Sequence, residues 1–171
     1  MKFALRDFRR EELETLWRID QQCFAPGISY TRLDLATYLR RPGAFALVAD
    51  SSDLGGTFKP GQLSAVPVGF IIAEGGGRGS GHIITIDVLP DARGQGIGSQ
   101  LLLAVEDRLR AAHAHAVVLE TAVDNKAALS FYKRHQYTVV KTIPRYYSNG
   151  VDAFVLKKDL LSPAEPAKLP Q

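Results

Sequence analysis

Apolar residues recur along the chain with two different periods, and the longer period predicts helices. From Ile97 onward, leucine, isoleucine and valine return at helical spacing, and residues 11–22 show the same pattern more weakly. Residues 31–40 predict a further helix whose start Thr31 can cap. Residues 124–135 predict another, with Asp or Asn at its start and basic residues at its end.

Shorter apolar runs, rich in β-branched residues, predict strands. They lie at residues 2–8, 44–49, 68–73, 82–89, 116–121, 137–142 and 151–157. The chain therefore begins with several strands and continues with alternating strands and helices. That order predicts a mixed sheet with helices on its faces, an α/β (α+β) fold.

Segments rich in Ser, Gly and Pro predict the loops. Residues 50–67 are expected to form a long surface loop, and residues 75–81 a plain hairpin turn. Residues 161–171 carry three prolines and predict a disordered tail. The chain has 171 residues and no internal repeat, so one domain over residues 1–160 is expected.

Composition and charge narrow the class of protein. The chain is 46% hydrophobic and 23% charged, which is ordinary for a soluble globular domain. The net charge of +3 suits an anionic ligand, whereas the scattered basic residues argue against nucleic-acid binding. Cys23 is the only cysteine, and no stretch approaches the roughly 20 apolar residues of a membrane helix. We expect a cytoplasmic protein without a membrane anchor. His113 and His115 are too isolated to predict a metal site.

The most informative segment joins a predicted strand to the helix that follows it. It contains Gly94, Gly96 and Gly98, with Arg93 in front. Glycines let the backbone turn tightly and point several N–H groups at the positive end of the helix, where Arg93 adds a cation. These features predict a phosphate-binding turn, with a simple turn as the alternative. The segment lacks the Gly-Lys-Ser/Thr ending of a Walker loop, and Ser99 replaces the third glycine of a dinucleotide fingerprint.

Several motifs together resemble the GNAT superfamily of acetyltransferases. Arg93-x-x-Gly96-x-Gly98 matches its Q/R-x-x-G-x-G/A motif, which holds the pyrophosphate of acetyl-CoA. The downstream segment, Leu119-Glu120 … Asn125-x-x-Ala128-x-x-x-Tyr132, resembles ribosomal-protein alanine N-acetyltransferases. The stretches Cys23-Phe24 … Ser29-Tyr30 and Tyr146-Tyr147 … Gly150-Val-Asp152-Ala153 are similar to N-terminal acetyltransferases. The resemblance covers about residues 3–160 and is weakest over residues 50–67.

The resemblance implies a fold and an activity. It implies a mostly antiparallel sheet of six to seven strands with helices on both faces. It also implies transfer of acetyl from acetyl-CoA directly to an amine, most directly the N-terminal α-amine of a protein or peptide. A lysine side chain or a small-molecule amine remains open as the acceptor, and so does a non-catalytic module that binds acyl-CoA.

Two residues are the candidate catalytic groups. Glu120 follows an apolar Val-Val-Leu run, and a buried carboxylate there is either half of a salt bridge or a general base. The resemblance favours a base that acts through water. Tyr132 reads as a core residue by helical position, but the resemblance places its hydroxyl beside the CoA sulfur, where it would protonate the departing thiolate. No covalent intermediate is then required, and Cys23 is expected to be a small core residue.

The resemblance also implies the binding residues. For acetyl-CoA these are Ile86, Val88, Arg93, Gly94, Gln95, Gly96, Ile97, Gly98, Ser99, Asn125 and Tyr132. For the acceptor they are Phe24, Tyr30, His82, Tyr146 and Tyr147. By position alone, the last two tyrosines are equally well ordinary strand aromatics, and His82 is a solvated histidine at a place where some relatives carry tyrosine.

The sequence departs from the family pattern at two places. The family commonly has Gly-Phe after the helix that carries the tyrosine, whereas this chain has Gln136-Tyr137. We therefore expect a left-handed helix cap on a residue that is not glycine, at a modest cost in stability. Ala122 stands where relatives often carry Arg, which weakens the likeness to the ribosomal-protein subgroup but not to the superfamily.

Overall fold

The computed structural model describes residues 1–52, 65–75 and 79–161. Most of the predicted loop, the middle of the glycine-rich hairpin turn and the tail after residue 161 lie outside these ranges. The strands are β1 (Phe3–Asp7), β2 (Ala44–Ser51), β3 (Val66–Gly75), β4 (Ser80–Val88), β5 (Ala116–Ala122), β6 (Thr138–Ile143) and β7 (Ala153–Asp159). The helices are α1 (Leu13–Cys23), α2 (Arg32–Leu39), α3 (Ile97–Ala111) and α4 (Lys126–Arg134). None of these helices is long and apolar enough to span a membrane.

The strands form one seven-stranded sheet in the order β1-β2-β3-β4-β5-β7-β6. Every neighbouring pair in it is antiparallel except β4 and β5, which are parallel. The prediction of a mostly antiparallel sheet of six to seven strands is confirmed. The boundaries predicted for the loop at residues 50–67 were wrong at both ends, because β2 continues to Ser51 and β3 already begins at Val66.

Helices cover both faces of the sheet, as predicted. On one face, Leu16 of α1 and Leu35 of α2 pack with Phe70 and Ile72 of β3. On the other face, α3 and α4 pack on the opposite residues of the strands. The main members of that second core are Ile71, Ile83, Leu101, Leu102, Leu119 and Tyr132. Because successive side chains of a strand point to opposite faces of the sheet, the core is divided into two layers, one on each face.

Side-chain caps fix the starts of two helices. The Thr31 hydroxyl accepts a hydrogen bond from the Asp34 amide at 3.1 Å, and the Asp34 carboxylate accepts one from the Thr31 amide at 3.0 Å. This reciprocal pair is a capping box, and it confirms Thr31 as the cap of α2. The Asn125 side chain accepts from the Ala128 amide at 3.1 Å and caps α4.

The chain leaves α4 through a left-handed residue, as expected from the departure at Gln136. Its φ is 68°. The next side chain, Tyr137, is buried, and its hydroxyl donates to a carboxylate oxygen of the buried Glu106 at 2.9 Å. Lys158 of β7 donates to the other oxygen of Glu106 at 2.7 Å. A buried tyrosine fits at this position because this core holds an acceptor for its hydroxyl.

The parallel pair β4 and β5 opens towards one end. The two strands pair over only four residues each, from Ser80 opposite Ala116 to Ile83 opposite Leu119. Within the described residues the two strands then continue, to Val88 and Ala122, without further pairing to each other. The sheet therefore contains a wedge-shaped gap at its centre, and this gap positions the candidate site.

Candidate functional site

A cavity of about 520 Å³ opens where β4 and β5 diverge. Its wall includes residues 83–86 of β4 and residues 119–122 of β5. It also includes residues of the segment 93–98, here called the glycine turn, one side of α4, and the segments that follow α1 and precede β7. That volume is in the range of pockets that enclose a cofactor-sized ligand. Because the gap interrupts the sheet, the cavity has access to both faces.

The glycine turn forms one end of the cavity. Gly94 has a φ of 74° and Gly96 a φ of 82°, and a Cβ on either would have no heavy atom within 4 Å. Glycine is therefore needed here for its backbone conformation and not for lack of space. α3 begins directly after Gly96, and no side chain of the described residues caps it. The Arg93 side chain donates from Nε to the Val88 carbonyl at 2.9 Å, which fastens the turn to the end of β4.

Glu120 of β5 lies in the cavity wall at the gap. Its side chain is 19% exposed, and its Oε2 lies 2.6 Å from Nε2 of His82. The other ring nitrogen of His82, Nδ1, lies 3.5 Å from Oε1 of Glu74 on β3. Burial alone lowers the pKa of His82, but the hydrogen bonds and charges of Glu120 and Glu74 outweigh it, so that the pKa of His82 lies above its usual 6.5.

Tyr132 of α4 reaches the cavity from the opposite face of the sheet. Leu119 packs in the same core as Tyr132, and the next residue on the strand, Glu120, must point to the other face. The Tyr132 ring is buried and packs edge-on against Phe131 and Tyr137, with centroids 5.2 and 5.5 Å away. Burial raises the pKa of Tyr132, so its hydroxyl keeps its proton at neutral pH.

Aromatic residues from two loops complete the wall on the side of α1 and α2. Tyr30 donates from its hydroxyl to the Ile84 carbonyl at 3.3 Å. Tyr146 and Tyr147 pack edge-on with ring centroids 5.0 Å apart. Ser148 donates to the Gly27 carbonyl at 3.0 Å and so joins the two loops. Phe24 lies in the same wall.

The sequence matches the Acetyltransferase (GNAT) family over residues 11–137. The chain belongs to the GNAT acetyltransferase family. Over 155 residues, 90% of either chain, it is 30% identical to an uncharacterized N-acetyltransferase of Methanocaldococcus jannaschii. The predictions of a GNAT acetyltransferase and of its fold are confirmed.

Other relatives match part of the chain, and a solved structure shares its fold. The chain is 45% identical to N-alpha-acetyltransferase 30 of Schizosaccharomyces pombe over 74 residues, which are 43% of this chain and 49% of that protein. It thus spans about half the length of this and of the other named N-alpha-acetyltransferases that it matches. The solved structure of Ard1 from Thermoplasma volcanium has the same fold, with a TM-score of 0.78, 24% identity, and coverage of 95% of this chain and 100% of that one.

In this GNAT chain most of the predicted site residues line one cavity. They are Phe24, Tyr30, Ile86, Val88, Arg93, Gly94, Gly96, Ile97, Gly98, Ser99, Glu120, Asn125, Tyr132, Tyr146 and Tyr147. Two predicted residues are not part of the wall. Gln95 accepts a hydrogen bond from the Met1 amino group at 3.3 Å, and His82 lies behind Glu120.

Sequence reasoning missed some of the wall. Ala127, Phe131 and Arg134 line the cavity from α4, and their spacing of four and three residues is a signal for one helix face. Cys23, expected in the core, also contacts the cavity. Its thiol lies 3.4 Å from the Val88 carbonyl, and burial raises the pKa of Cys23 to about 11. The thiol therefore stays protonated at neutral pH and is a poor nucleophile.

Proposed function

We propose that this GNAT chain transfers an acetyl group from acetyl-CoA directly to the N-terminal α-amine of a protein or peptide. One observation carries the proposal: Glu120 and Tyr132 belong to opposite faces of the sheet and line the same cavity at the gap between β4 and β5. A carboxylate on one side of a reacting centre and a neutral phenol on the other are the base and the acid that amide formation needs.

The donor is proposed to occupy the α3 and α4 side of the cavity. Backbone N–H groups of residues 94–98 lie at the positive end of α3, which suits the pyrophosphate of acetyl-CoA. Beyond Ile83, the edge of β4 that faces β5 has no strand partner in the described residues, and at Ile86 and Val88 this edge suits the amides of the pantetheine arm, which can add to it as a strand does. Asn125, which caps α4 and lines the cavity, is a further polar group for that arm.

The proposed reaction is a direct transfer. Glu120 takes a proton from the α-ammonium through a water, and the free amine attacks the thioester carbonyl. The new C–N bond forms as the C–S bond breaks, and Tyr132 protonates the thiolate. The nitrogen then loses its second proton, which restores Tyr132. The net products are an amide, free CoA and one proton. We propose that the base, the acid and the phosphate site of this reaction all come from the chain itself.

The acceptor wall supports a peptide N-terminus. An α-amine has a pKa of about 7.7–8, whereas a lysine side chain has about 10.4, so a carboxylate base deprotonates the α-amine far more readily. The wall of Phe24, Tyr30, Tyr146 and Tyr147 is aromatic and uncharged, which suits an extended peptide end with an apolar side chain. Several relatives are named N-alpha-acetyltransferases.

We also propose that the protein works in the cytoplasm, in keeping with a single protonated thiol.

One peptide in two forms tests the proposal. The first form has a free α-amine and acetylated lysines, and the second has an acetylated α-amine and free lysines. Release of CoA is followed with a thiol reagent, and mass spectrometry locates the new acetyl group. We expect the first form alone to react. Reaction of only the second form, or only of a small polyamine, would reassign the acceptor. Binding of CoA without turnover of any amine would indicate a non-catalytic module.

A further inference from the structure

Glu120 lies at the inner end of a row of hydrogen-bonding groups that leads to the surface. His82 Nε2 contacts its carboxylate at 2.6 Å, and His82 Nδ1 lies 3.5 Å from Glu74. Glu74 in turn accepts from Arg41 at 3.2 Å, and the Arg41 side chain is 44% exposed. The row therefore joins the cavity wall to solvent through three side chains.

The strands of the sheet, and not a loop, set this geometry. Glu74 of β3 lies directly opposite His82 of β4, and His82 lies opposite Val118 of β5. Glu120 is two residues beyond Val118 and so points to the same face as His82. Because three neighbouring strands fix the three side chains, the spacing of the row is built into the register of the sheet.

The imidazole of His82 has two ring nitrogens, and each of them can carry a proton. Neutral histidine can accept a proton on one ring nitrogen and release a proton from the other. Here the nitrogen that faces the cavity contacts Glu120, and the nitrogen that faces outward lies towards Glu74. Carboxylates on both sides favour the protonated ring, which must exist for a proton to pass.

We propose that His82 relays to Glu74, and from there to solvent, the proton that Glu120 takes from the acceptor amine. The inference rests on the proposed function. Each turnover converts an ammonium and a thioester into an amide, a thiol and one proton. That proton moves from Glu120 to Nε2 of His82, and a proton leaves Nδ1 towards Glu74. The neutral ring starts with its proton on Nδ1 and ends with a proton on Nε2. Exchange with water then returns the ring proton to Nδ1, and nothing is oxidised or reduced.

The other titratable groups near the row do not compete for this proton. Tyr146 and Tyr147 lie close enough to Glu120 for its charge to act on them. Burial, together with that charge, raises the pKa of both phenols, so each keeps its proton at neutral pH. The Arg41 guanidinium pairs with Glu74 and holds it in place. His82 is therefore a positioning and relay residue, and Glu120 remains the group that faces the substrate.

Rescue by a diffusible base tests the relay. His82→Ala should lower kcat with a peptide acceptor by about 10-fold or more at pH 7, and added imidazole should restore much of the loss. The matched control is His113→Ala, since His113 is exposed at the end of α3; it should keep the wild-type rate and show no response to imidazole. Should the alanine variant fail to fold, His82→Gln fills the same space and gives the same comparison of rate and rescue.

Glu74→Gln separates a relay from a purely structural contact. Loss of this carboxylate should lower the pKa of His82, so the acid limb of the kcat profile, and the NMR titration of the His82 ring, should both move to lower pH. A His82→Ala enzyme with the wild-type rate and pH profile, or a His82 titration unmoved by Glu74→Gln, overturns the relay and leaves the proposed function intact. A wild-type enzyme that acetylates no amine overturns the proposed function and the relay with it.

Discussion

The carboxyl groups of Asp20 and Asp87 face each other in the core between α1 and β4, and both are shielded from solvent. Thr85 donates to Oδ1 of Asp87 at 2.6 Å. The Tyr30 amide and the Gln21 side chain donate to Oδ2 of Asp20 at 2.8 and 3.0 Å. The remaining oxygen of each carboxyl has no other partner in the described residues. Burial raises the pKa of Asp87 well above its usual value, so Asp87 carries the proton that joins the pair.

This pair makes stability depend on pH. An unfolded Asp loses its proton near pH 3.8, whereas the folded protein keeps it on Asp87 to a higher pH. The folded state therefore binds more protons above pH 3.8, and the free energy of unfolding should fall as the pH rises from there through the raised pKa. Asp87→Asn keeps a donor to Asp20 and an acceptor for Thr85, so it should remove the part of this slope that Asp87 contributes and leave the protein at least as stable at pH 7. The slope that remains belongs to Asp20, whose pKa burial raises to about 6.

Urea unfolding between pH 4 and pH 8 measures the effect. The control is Glu11→Gln, which also removes one carboxyl group but at an exposed position. Its slope should match that of the wild type. An Asp87→Asn protein that keeps the full slope, or that loses several kcal/mol at pH 7, would mean that Asp87 is ionised and paired with something other than Asp20.

The glycine turn gives a prediction about the donor. Gly96→Asp places a negative charge where the pyrophosphate is proposed to lie and should abolish measurable binding of CoA. Gly96→Ala introduces the same left-handed strain, about 1–2 kcal/mol, without the charge, and should bind CoA more weakly than the wild type but detectably. Thermal shift shows the difference, since ligand at about 100 times Kd adds about 2.7 kcal/mol of stability. Equal shifts for wild type and Gly96→Asp would place the donor elsewhere.

Tyr132 gives a prediction about the acid. Tyr132→Phe retains the buried ring and should keep the fold and most of the affinity for CoA, but it should lower kcat by about 10- to 10⁴-fold. The deficit should shrink with an acetyl thioester of a more acidic thiol, because such a thiol leaves without help from an acid. Steady-state kinetics under conditions where chemistry limits turnover decide the matter. An equal deficit with both thioesters would assign Tyr132 to binding.

Glu120 gives a prediction about the base and the acceptor together. Glu120→Gln nearly preserves shape but removes the proton acceptor, so the variant depends on amine that is already neutral in solution. Its rate should recover with rising pH near the α-amine pKa of about 7.7–8, whereas a lysine acceptor would recover only towards about 10.4. Rates measured from pH 6 to pH 10 give the midpoint. A variant that equals the wild type throughout this range would make Glu120 structural.

Local signals in the sequence were enough for part of the site. The glycine turn and the cap at Thr31 each occupy a few consecutive residues, and the chemistry of those residues fixes the conformation. Gln136 was predicted to be left-handed on the same ground, from the end of a helix. On the side of α4 that faces the cavity, Asn125 and Tyr132 were predicted because they belong to a motif. Phe131 and Arg134 were missed because they do not.

Contacts between distant strands could not be predicted in this way. Asp87 reads as an ordinary polar residue in a strand, and nothing local shows that a second carboxyl, 67 residues earlier, lies against it. His82 was assigned to the acceptor wall, but its place behind Glu120 depends on how β4 and β5 are paired. Pairing register is a property of the folded sheet, and a shift of one residue would have reversed which side chains face the cavity.

The gap between β4 and β5 has a consequence for how the protein tolerates change. The groups that it offers to an incoming extended molecule are main-chain N–H and C=O groups, which almost every amino acid carries alike. Substitution of Ile86 or Val88 can alter the shape of the wall, but only proline removes a main-chain donor. The recognition that we propose for this gap therefore depends on the course of the backbone. Two descendants of this chain can diverge widely along β4 and still present the same main-chain groups there.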